Sequence, residues 1–307
     1  MKIFIDTAKL DEIKEACSWG IVDGVTTNPS LIKKAVDALR ERGENIDISS
    51  YIEEICKTVG KGHPVSLEVI SLTAERMFDE AITLYEKFNP IAENVVIKIP
   101  INTYTPGCSH TNYEGLKTIK KLSEKGIPVN CTLIMTPEQA LLAAKAGAKY
   151  ASPFAGRVDD YIRKNLGIKF KKGDYFNFEL MEEIRYQMLE EEIEEYVEDE
   201  EGIGYIYQQE EVARRAELGK DNGISSGVDL VAKVARIYST YGIKTEIIAS
   251  SIRNARQVRE VAEVGAHIAT IPFSVIEEML GHPKTEEGIN LFTQDVVPEY
   301  RKIFEEK

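Results

Sequence analysis

The stretch Val95-Val96-Ile97-Lys98-Ile99-Pro100 decides how this chain is read. It is a short apolar run, rich in β-branched residues and closed by proline, like the buried strands of parallel sheets. Its lysine is out of keeping with that environment. An ammonium is costly to bury without a partner. Burial favours the neutral amine, which is nucleophilic. Such an amine adds to a carbonyl to form a Schiff base. A strand lysine also has a plain reading, in which its stem lies along apolar surface and its head reaches water or a carboxylate. The rest of the chain decides between the two.

Similar β-rich runs recur on either side of it. They fall at residues 2–6, 24–27, 65–69, 95–99, 129–133, 150–152, 246–249 and 268–271. Helical apolar periods separate most of them, at 8–18, 30–42, 72–88, 113–125, 137–146, 227–241 and 253–264. Strands alternating with helices specify a parallel α/β fold. Eight such units suit a (β/α)8 barrel of typical size, about 250 residues. A doubly wound sheet is the alternative, but no glycine-rich fingerprint follows the first strand. The barrel skeleton runs through Asp160 and resumes near Gly223, so residues 1–307 read as one domain with an insertion at 161–222. That insertion starts basic, with Arg163, Lys164, Lys169, Lys171 and Lys172, and carries helical patterns from Phe178 to Leu189 and from Gln209 to Leu218. Residues 274–280 and 285–304 read as terminal helices.

The composition, 43% hydrophobic and 29% charged over 307 residues, is that of a soluble enzyme. No apolar stretch is long enough to span a membrane. The first residues lack the apolar core of a signal peptide, so a cytoplasmic location is expected. Four scattered cysteines (Cys17, Cys56, Cys108, Cys131) read as unpaired thiols, and the four histidines lie too far apart for metal-ligand spacing. A net charge of −13 argues against nucleic acid or an anionic membrane as partner. Residues 177–211 hold fourteen acids and one base, Arg185, hence −13 in that segment alone, and the remainder is near neutral.

Barrel enzymes place their catalytic groups at the C-terminal ends of the strands. Here Asp6 ends the first strand and Thr27-Asn28 the second. Glu68 and Lys98 lie near the ends of the third and fourth. Asn130 and Thr132 share one face of the fifth, Ser152 ends the sixth, and Ser251 and Arg253 follow the seventh. Singly, each has a structural explanation, such as a helix cap for Asp6 or a turn for Asn28-Pro29. Seven strands placing polar groups at the same end is hard to explain by packing. A lysine amine needs acid–base partners, which Asp6 and Glu68 supply, and Thr132 suits a positioned water. Asn28, Asn130 and Ser152 suit the hydroxyls of a polyol. Arg157 and Arg253 stand where two loops would clamp a phosphate, although a surface ion pair is the ordinary fate of an arginine.

With these residues in view, the chain resembles the transaldolase family, in its small branch that also contains fructose-6-phosphate aldolase. The resemblance rests on Phe4-Ile-Asp-Thr-Ala, Gly24-Val-Thr-Thr-Asn-Pro-Ser, Val95-Val-Ile-Lys-Ile-Pro, Ser152-Pro-Phe-Ala-Gly-Arg-Val-Asp-Asp and Ala249-Ser-Ser-Ile-Arg. It implies a (β/α)8 barrel and no metal or organic cofactor. By position it implies Lys98 as the Schiff-base lysine, Asp6 as the acid/base at carbon–carbon cleavage, and Glu68 with Thr132 as holders of the catalytic water. It further implies Asn28, Asn130 and Ser152 against the dihydroxyacetone part, and Arg157, Arg253 and Ser251 at the phosphate. Phe154 and Glu68 stand where the aldolase branch has Tyr and tends to have Gln, which favours group transfer. The implied reaction moves dihydroxyacetone from sedoheptulose 7-phosphate or fructose 6-phosphate to glyceraldehyde 3-phosphate or erythrose 4-phosphate, in the pentose phosphate pathway. The alternatives are release of free dihydroxyacetone, action on a modified sugar, and a non-catalytic sugar-phosphate-binding barrel. Sugar phosphates are the expected partners, and a homo-oligomer is expected. Two features depart from the small members: the long loop 102–112 after the lysine strand and the acidic insertion. Both lie on the active-site face, and the acidic face of the insertion is expected to point away from a phosphate site.

Overall fold

The computed structural model describes residues 1–103, 112–197, 203–218 and 220–304. Eight strands, β1 (Lys2–Asp6), β2 (Gly24–Thr26), β3 (Val65–Glu68), β4 (Val95–Pro100), β5 (Val129–Ile134), β6 (Tyr150–Pro153), β7 (Glu246–Ala249) and β8 (Ile268–Ile271), form a closed barrel in sequence order. Every pair is parallel, and β8 closes on β1. The eight expected strands and the (β/α)8 closure are therefore observed.

All seven expected outer helices are present: α1 (Leu10–Ser18), α2 (Pro29–Glu41), α4 (Ala74–Ala92), α5 (Glu114–Glu124), α6 (Pro137–Lys145), α11 (Gly227–Tyr241) and α12 (Ala255–Glu263). Between α2 and α4 lies α3 (Ile48–Val59), which the strand–helix alternation did not call for. Its N-terminus is capped by Asp47, and Tyr51, Ile52, Ile55, Cys56 and Val59 bury one face at helical spacing. Helix α7 (Ala155–Asn165) continues through residue 160 without interruption. Then follow α8 (Phe178–Val197), α9 (Ile203–Gln208) and α10 (Glu210–Glu217), with α8 packed on α10. At the C-terminus, α13 (Phe273–Leu280) agrees with expectation. The expected single helix over 285–304 is instead α14 (Pro283–Gln294) and α15 (Pro298–Lys302). Pro298 has no N–H and forces Val297 into an extended conformation, so the helix cannot run through it.

The strands separate two cores by their two-residue period. Ile5, Ile97, Ile99, Cys131 and Ile271 face outward and are buried against the helices. Phe4, Val96, Tyr150, Ile248 and Ile268 form a separate cluster, which plugs the inside of the barrel. Phe4 and Tyr150 meet edge to face, with ring centroids 6.4 Å apart. Gly24 makes room for that plug, since a Cβ there would lie 2.7 Å from the Phe4 ring. No helix among the described residues is long and apolar enough to cross a membrane.

Candidate active site

Two residues beyond each plug residue, the same inward face turns polar. Phe4 is followed by Asp6, Val96 by Lys98, Tyr150 by Ser152, Ile248 by Ser250 and Ile268 by Thr270. These polar groups line a cavity of about 440 Å³ at the C-terminal mouth of the barrel. The cavity brings together every site residue expected from sequence: Asp6, Asn28, Glu68, Lys98, Asn130, Thr132, Ser152, Phe154, Arg157, Ser251 and Arg253. The barrel closure does this, because sequence neighbours in the set lie on adjacent strands. Glu68 pairs in register with Lys98, and Lys98 with Asn130.

Lys98 is only 6% exposed. Its Nζ lies 3.1 Å from Glu68 Oε2 and donates to the backbone oxygen of Thr27 at 3.2 Å. The amine is thus held between an anion and a carbonyl over an apolar floor, the setting in which its proton has a nearby acceptor. Asp6 accepts a 2.7 Å hydrogen bond from Thr26 Oγ1, which lies 2.5 Å from Thr270 Oγ1. Desolvation raises the Asp6 carboxyl above its ordinary value, against the opposing pull of the Lys98 charge and the Thr26 hydroxyl. A carboxyl poised in this way can exchange a proton with substrate.

The hydroxyl and amide groups are partly committed to one another. Ser152 Oγ donates to Asn130 Oδ1 at 2.7 Å, and Asn130 Nδ2 donates to Ser66 Oγ at 3.3 Å, so a polar chain crosses the barrel interior. Asn28 caps α2 by accepting from Leu31 N, so the structural reading of that residue holds beside its place in the cavity. Thr132 Oγ1 is buried with no hydrogen-bond partner among the described residues. A buried hydroxyl without a partner is a place for water or substrate. Just beyond it, β5 shifts register between Cys131 and Ile134, and Leu133 takes a φ of 60°. This bulge turns both Thr132 and Leu133 toward the cavity.

The same cavity is also lined by basic groups, Lys34, Arg157, Lys172 and Arg253. Arg253 Nη2 donates to Asp160 Oδ2 at 2.6 Å, and its Nε is buried without a partner. The Arg253 backbone N–H donates to Gln257 Oε1, whose Nε2 donates to Asp159 Oδ2. Burial pushes the Asp159 carboxyl up to about 7, although the Gly227 N–H and Arg163 pull the other way. Arg157 lies over the Phe154 ring, 5.1 Å from its centroid. Gly156 lets the loop after β7 approach α7, since a Cβ on it would fall 2.0 Å from Ser251 O.

Several lining residues went unread in the sequence. Thr26 and Thr270 look like ordinary β residues, and only their inward register distinguishes them. Lys34 and Lys172 also line the cavity, and Lys172 is its sole lining residue from the 161–222 insertion among the described residues. No described acid of residues 161–222 lines it. Cys17, Cys56 and Cys131 are free thiols, and Cys108 lies outside the described residues, as does most of the 102–112 loop. Among the described residues no three His, Cys, Asp or Glu side chains are grouped to hold a metal. A second cavity of about 410 Å³, lined by Tyr175, Phe178, Ser225 and Glu260 among others, lies outside the barrel mouth.

The chain is thus a closed (β/α)8 barrel with a lysine paired to a carboxylate in its mouth. The transaldolase/fructose-6-phosphate aldolase family matches residues 3–199 and 204–306, and the chain belongs to that family. It is 40% identical to a probable transaldolase of Caldicellulosiruptor saccharolyticus over 96% of both chains. It is 38% identical to probable transaldolases of Thermodesulfovibrio yellowstonii and Methanococcus maripaludis, over 96% of this chain and 97% of each of theirs. The solved structure of a mandelate oxidase variant superposes with a TM-score of 0.44 and 11% identity, over 89% of this chain and 65% of that one. The family and the relatives support a transaldolase-type enzyme.

Proposed function

We propose that this chain is a transaldolase of the pentose phosphate pathway that works through a Schiff base on Lys98. The donor is sedoheptulose 7-phosphate or fructose 6-phosphate, and the acceptor is glyceraldehyde 3-phosphate or erythrose 4-phosphate. The observation that carries this reading is the Lys98 Nζ, 6% exposed at the residue level and 3.1 Å from Glu68, in one cavity with Asp6.

Glu68 takes a proton from Lys98, and the free amine adds to the ketone carbon of the donor. The resulting carbinolamine loses water to give an iminium, with proton transfer through Glu68 and a water held by Thr132. Asp6 then removes the proton of the hydroxyl on the far carbon of the bond to be broken, and that oxygen becomes the aldehyde oxygen of the leaving aldose phosphate. That carbon–carbon bond breaks, and its electron pair flows into the iminium to leave an enamine. The aldose phosphate departs while the three-carbon enamine stays on Lys98. An acceptor aldehyde enters, the enamine carbon attacks it, and Asp6 returns its proton to the new alkoxide. Hydrolysis of the iminium restores the amine. Asn28, Asn130 and Ser152 orient the dihydroxyacetone hydroxyls, and Arg157 and Arg253 with Ser251 receive the phosphate. The apolar plug below the amine limits water near the enamine. The reading carries with it a cytoplasmic homo-oligomer, which the family resemblance supports and sedimentation would test.

Borohydride reduction in the presence of fructose 6-phosphate tests the proposal. A three-carbon adduct on Lys98, absent from Lys98→Met, is expected. Full turnover by Lys98→Met would overturn it. Product formation from fructose 6-phosphate without any acceptor would replace transfer by the aldolase reaction.

A further inference from the structure

The turn from Lys171 to Asp174 is pinned on both sides. Asp174 closes it, with Oδ2 accepting from Lys171 N at 2.7 Å and its own N–H donating to Lys171 O at 3.0 Å. From α7, Arg163 Nη2 donates to Asp174 O at 2.9 Å. Arg163 is 3% exposed and lies between the rings of Phe170 and Phe176, 4.9 and 5.2 Å from their centroids. From the other side, Asn254 Nδ2 donates to Gly173 O at 3.3 Å, and Asn254 is the neighbour of Arg253. The turn therefore holds Lys172 in the cavity lining by contacts to the two elements that carry Asp160 and Arg253.

We propose that Lys172 is a further ligand for the terminal phosphate of the sugar, acting with Lys34 beside Arg157 and Arg253, so that the segment after α7 is part of the substrate site. This inference rests on the sugar-phosphate reading above. All four cations line the one cavity. Lys172 has no hydrogen-bond or ion-pair partner among the described residues. Its pKa is lowered, first by desolvation and then by the facing charges of Arg253 and Lys34, with Asp160 and Asp6 offsetting part of this. Like charges held together repel, and a bound dianion relieves that repulsion. Asp160 already neutralises part of Arg253, so the lysines supply the surplus charge that a phosphate dianion needs.

Lys171→Ala provides the control: it removes the same charge one residue away, from a side chain that does not line the cavity. Inorganic phosphate is titrated by calorimetry into the full-length protein, Lys172→Ala and Lys171→Ala, and borohydride trapping is run with fructose 6-phosphate and with dihydroxyacetone. Lys172→Ala is expected to weaken phosphate binding, and to raise the KM for fructose 6-phosphate, roughly ten-fold, the worth of one charge-assisted hydrogen bond. Lys171→Ala and the trapping of dihydroxyacetone stay unchanged, and Lys172→Arg restores most of the loss. Equal effects of the two alanine variants on phosphate, or a loss of dihydroxyacetone trapping as large as that of fructose 6-phosphate, would overturn the inference. Absence of any Lys98 adduct would instead defeat the Schiff-base reading, while the phosphate titration still decides the role of Lys172.

Discussion

Gly156→Ala tests how the proposed phosphate subsite is built. A Cβ placed on Gly156 would lie 2.0 Å from Ser251 O, 2.6 Å from Arg253 Nε and 2.8 Å from Arg253 Cγ. Real Cβ contacts stay beyond 3.0 Å, so the Ser251 carbonyl and α7 must separate by about 1 Å. The nearest atom is backbone and cannot rotate away. Alanine favours the helix by about 1 kcal/mol over glycine. Overpacking of this kind costs about 1–3 kcal/mol, so the clash wins. The difference leaves a net destabilisation of up to about 2 kcal/mol, which lowers Tm by up to a few degrees in a chain of this size. The larger effect is on substrate, because the displaced loop carries Ser251 and Arg253. A shift of about 1 Å at a positioning group can cost on the order of 100-fold in rate. We expect kcat/KM for fructose 6-phosphate to fall ten- to one-hundred-fold, mainly through KM. Trapping of unphosphorylated dihydroxyacetone on Lys98 should stay near that of the parent protein, since the Lys98 contacts are to Glu68 and Thr27 and not to the displaced loop. Calorimetry and steady-state kinetics read both effects. Unchanged Tm and KM, or equal losses with and without phosphate, would refute this account of the loop.

Lys98→Met keeps the buried stem but orphans Glu68, whose side chain is 16% exposed. Chemical denaturation should show a loss of about 1–3 kcal/mol, below the cost of a sealed pair because the cavity admits water, and Lys98→Met/Glu68→Gln should recover most of it; strict additivity would show the pair uncoupled. Arg253→Ala should raise KM for phosphorylated donors and leave phosphate-free donors unaffected in parallel assays. Asp159 has a raised pKa of about 7, so the folded state binds a proton that the unfolded state has released. The contribution of Asp159 to stability is therefore full below about pH 4, falls as pH rises through about 7, and then levels off. Asp159→Asn should remove that slope, and Tm curves of parent and variant that stay parallel from pH 4 to 8 would contradict the assignment.

The strands were legible because buried parallel strands read as β-rich apolar runs, and the polar groups at their ends stood out against that background. The alternation Val96, Ile97, Lys98, Ile99 already separates inward from outward positions. Thr26 and Thr270 escaped notice because threonine is at home in any strand, and the meeting of their hydroxyls depends on β1 lying between β2 and β8. Helix α3 had its periodic signal, but a second helix between β2 and β3 breaks simple alternation. Asp160, Gln257 and Lys172 could not be placed from sequence. Each acts on Arg253 or its cavity across a separation that only the closed barrel and the pinned turn bring together.

The two-layer interior explains why chemistry belongs at this end. The plug of Phe4, Val96, Tyr150, Ile248 and Ile268 removes water from beneath the lysine and Asp6. Desolvation favours the neutral carboxyl of Asp6, and the Lys98 charge favours its anion. The barrel sets one against the other. Glu68, in register with Lys98 on the neighbouring strand, keeps the cation near a proton acceptor. Asp6, two residues above the Phe4 ring, has its carboxyl raised by the same floor. Gly24 is what allows Phe4 to lie there. A side chain at position 24 would collide with the Phe4 ring and the Pro64 carbonyl, and so disturb the floor on which Asp6 stands without touching substrate.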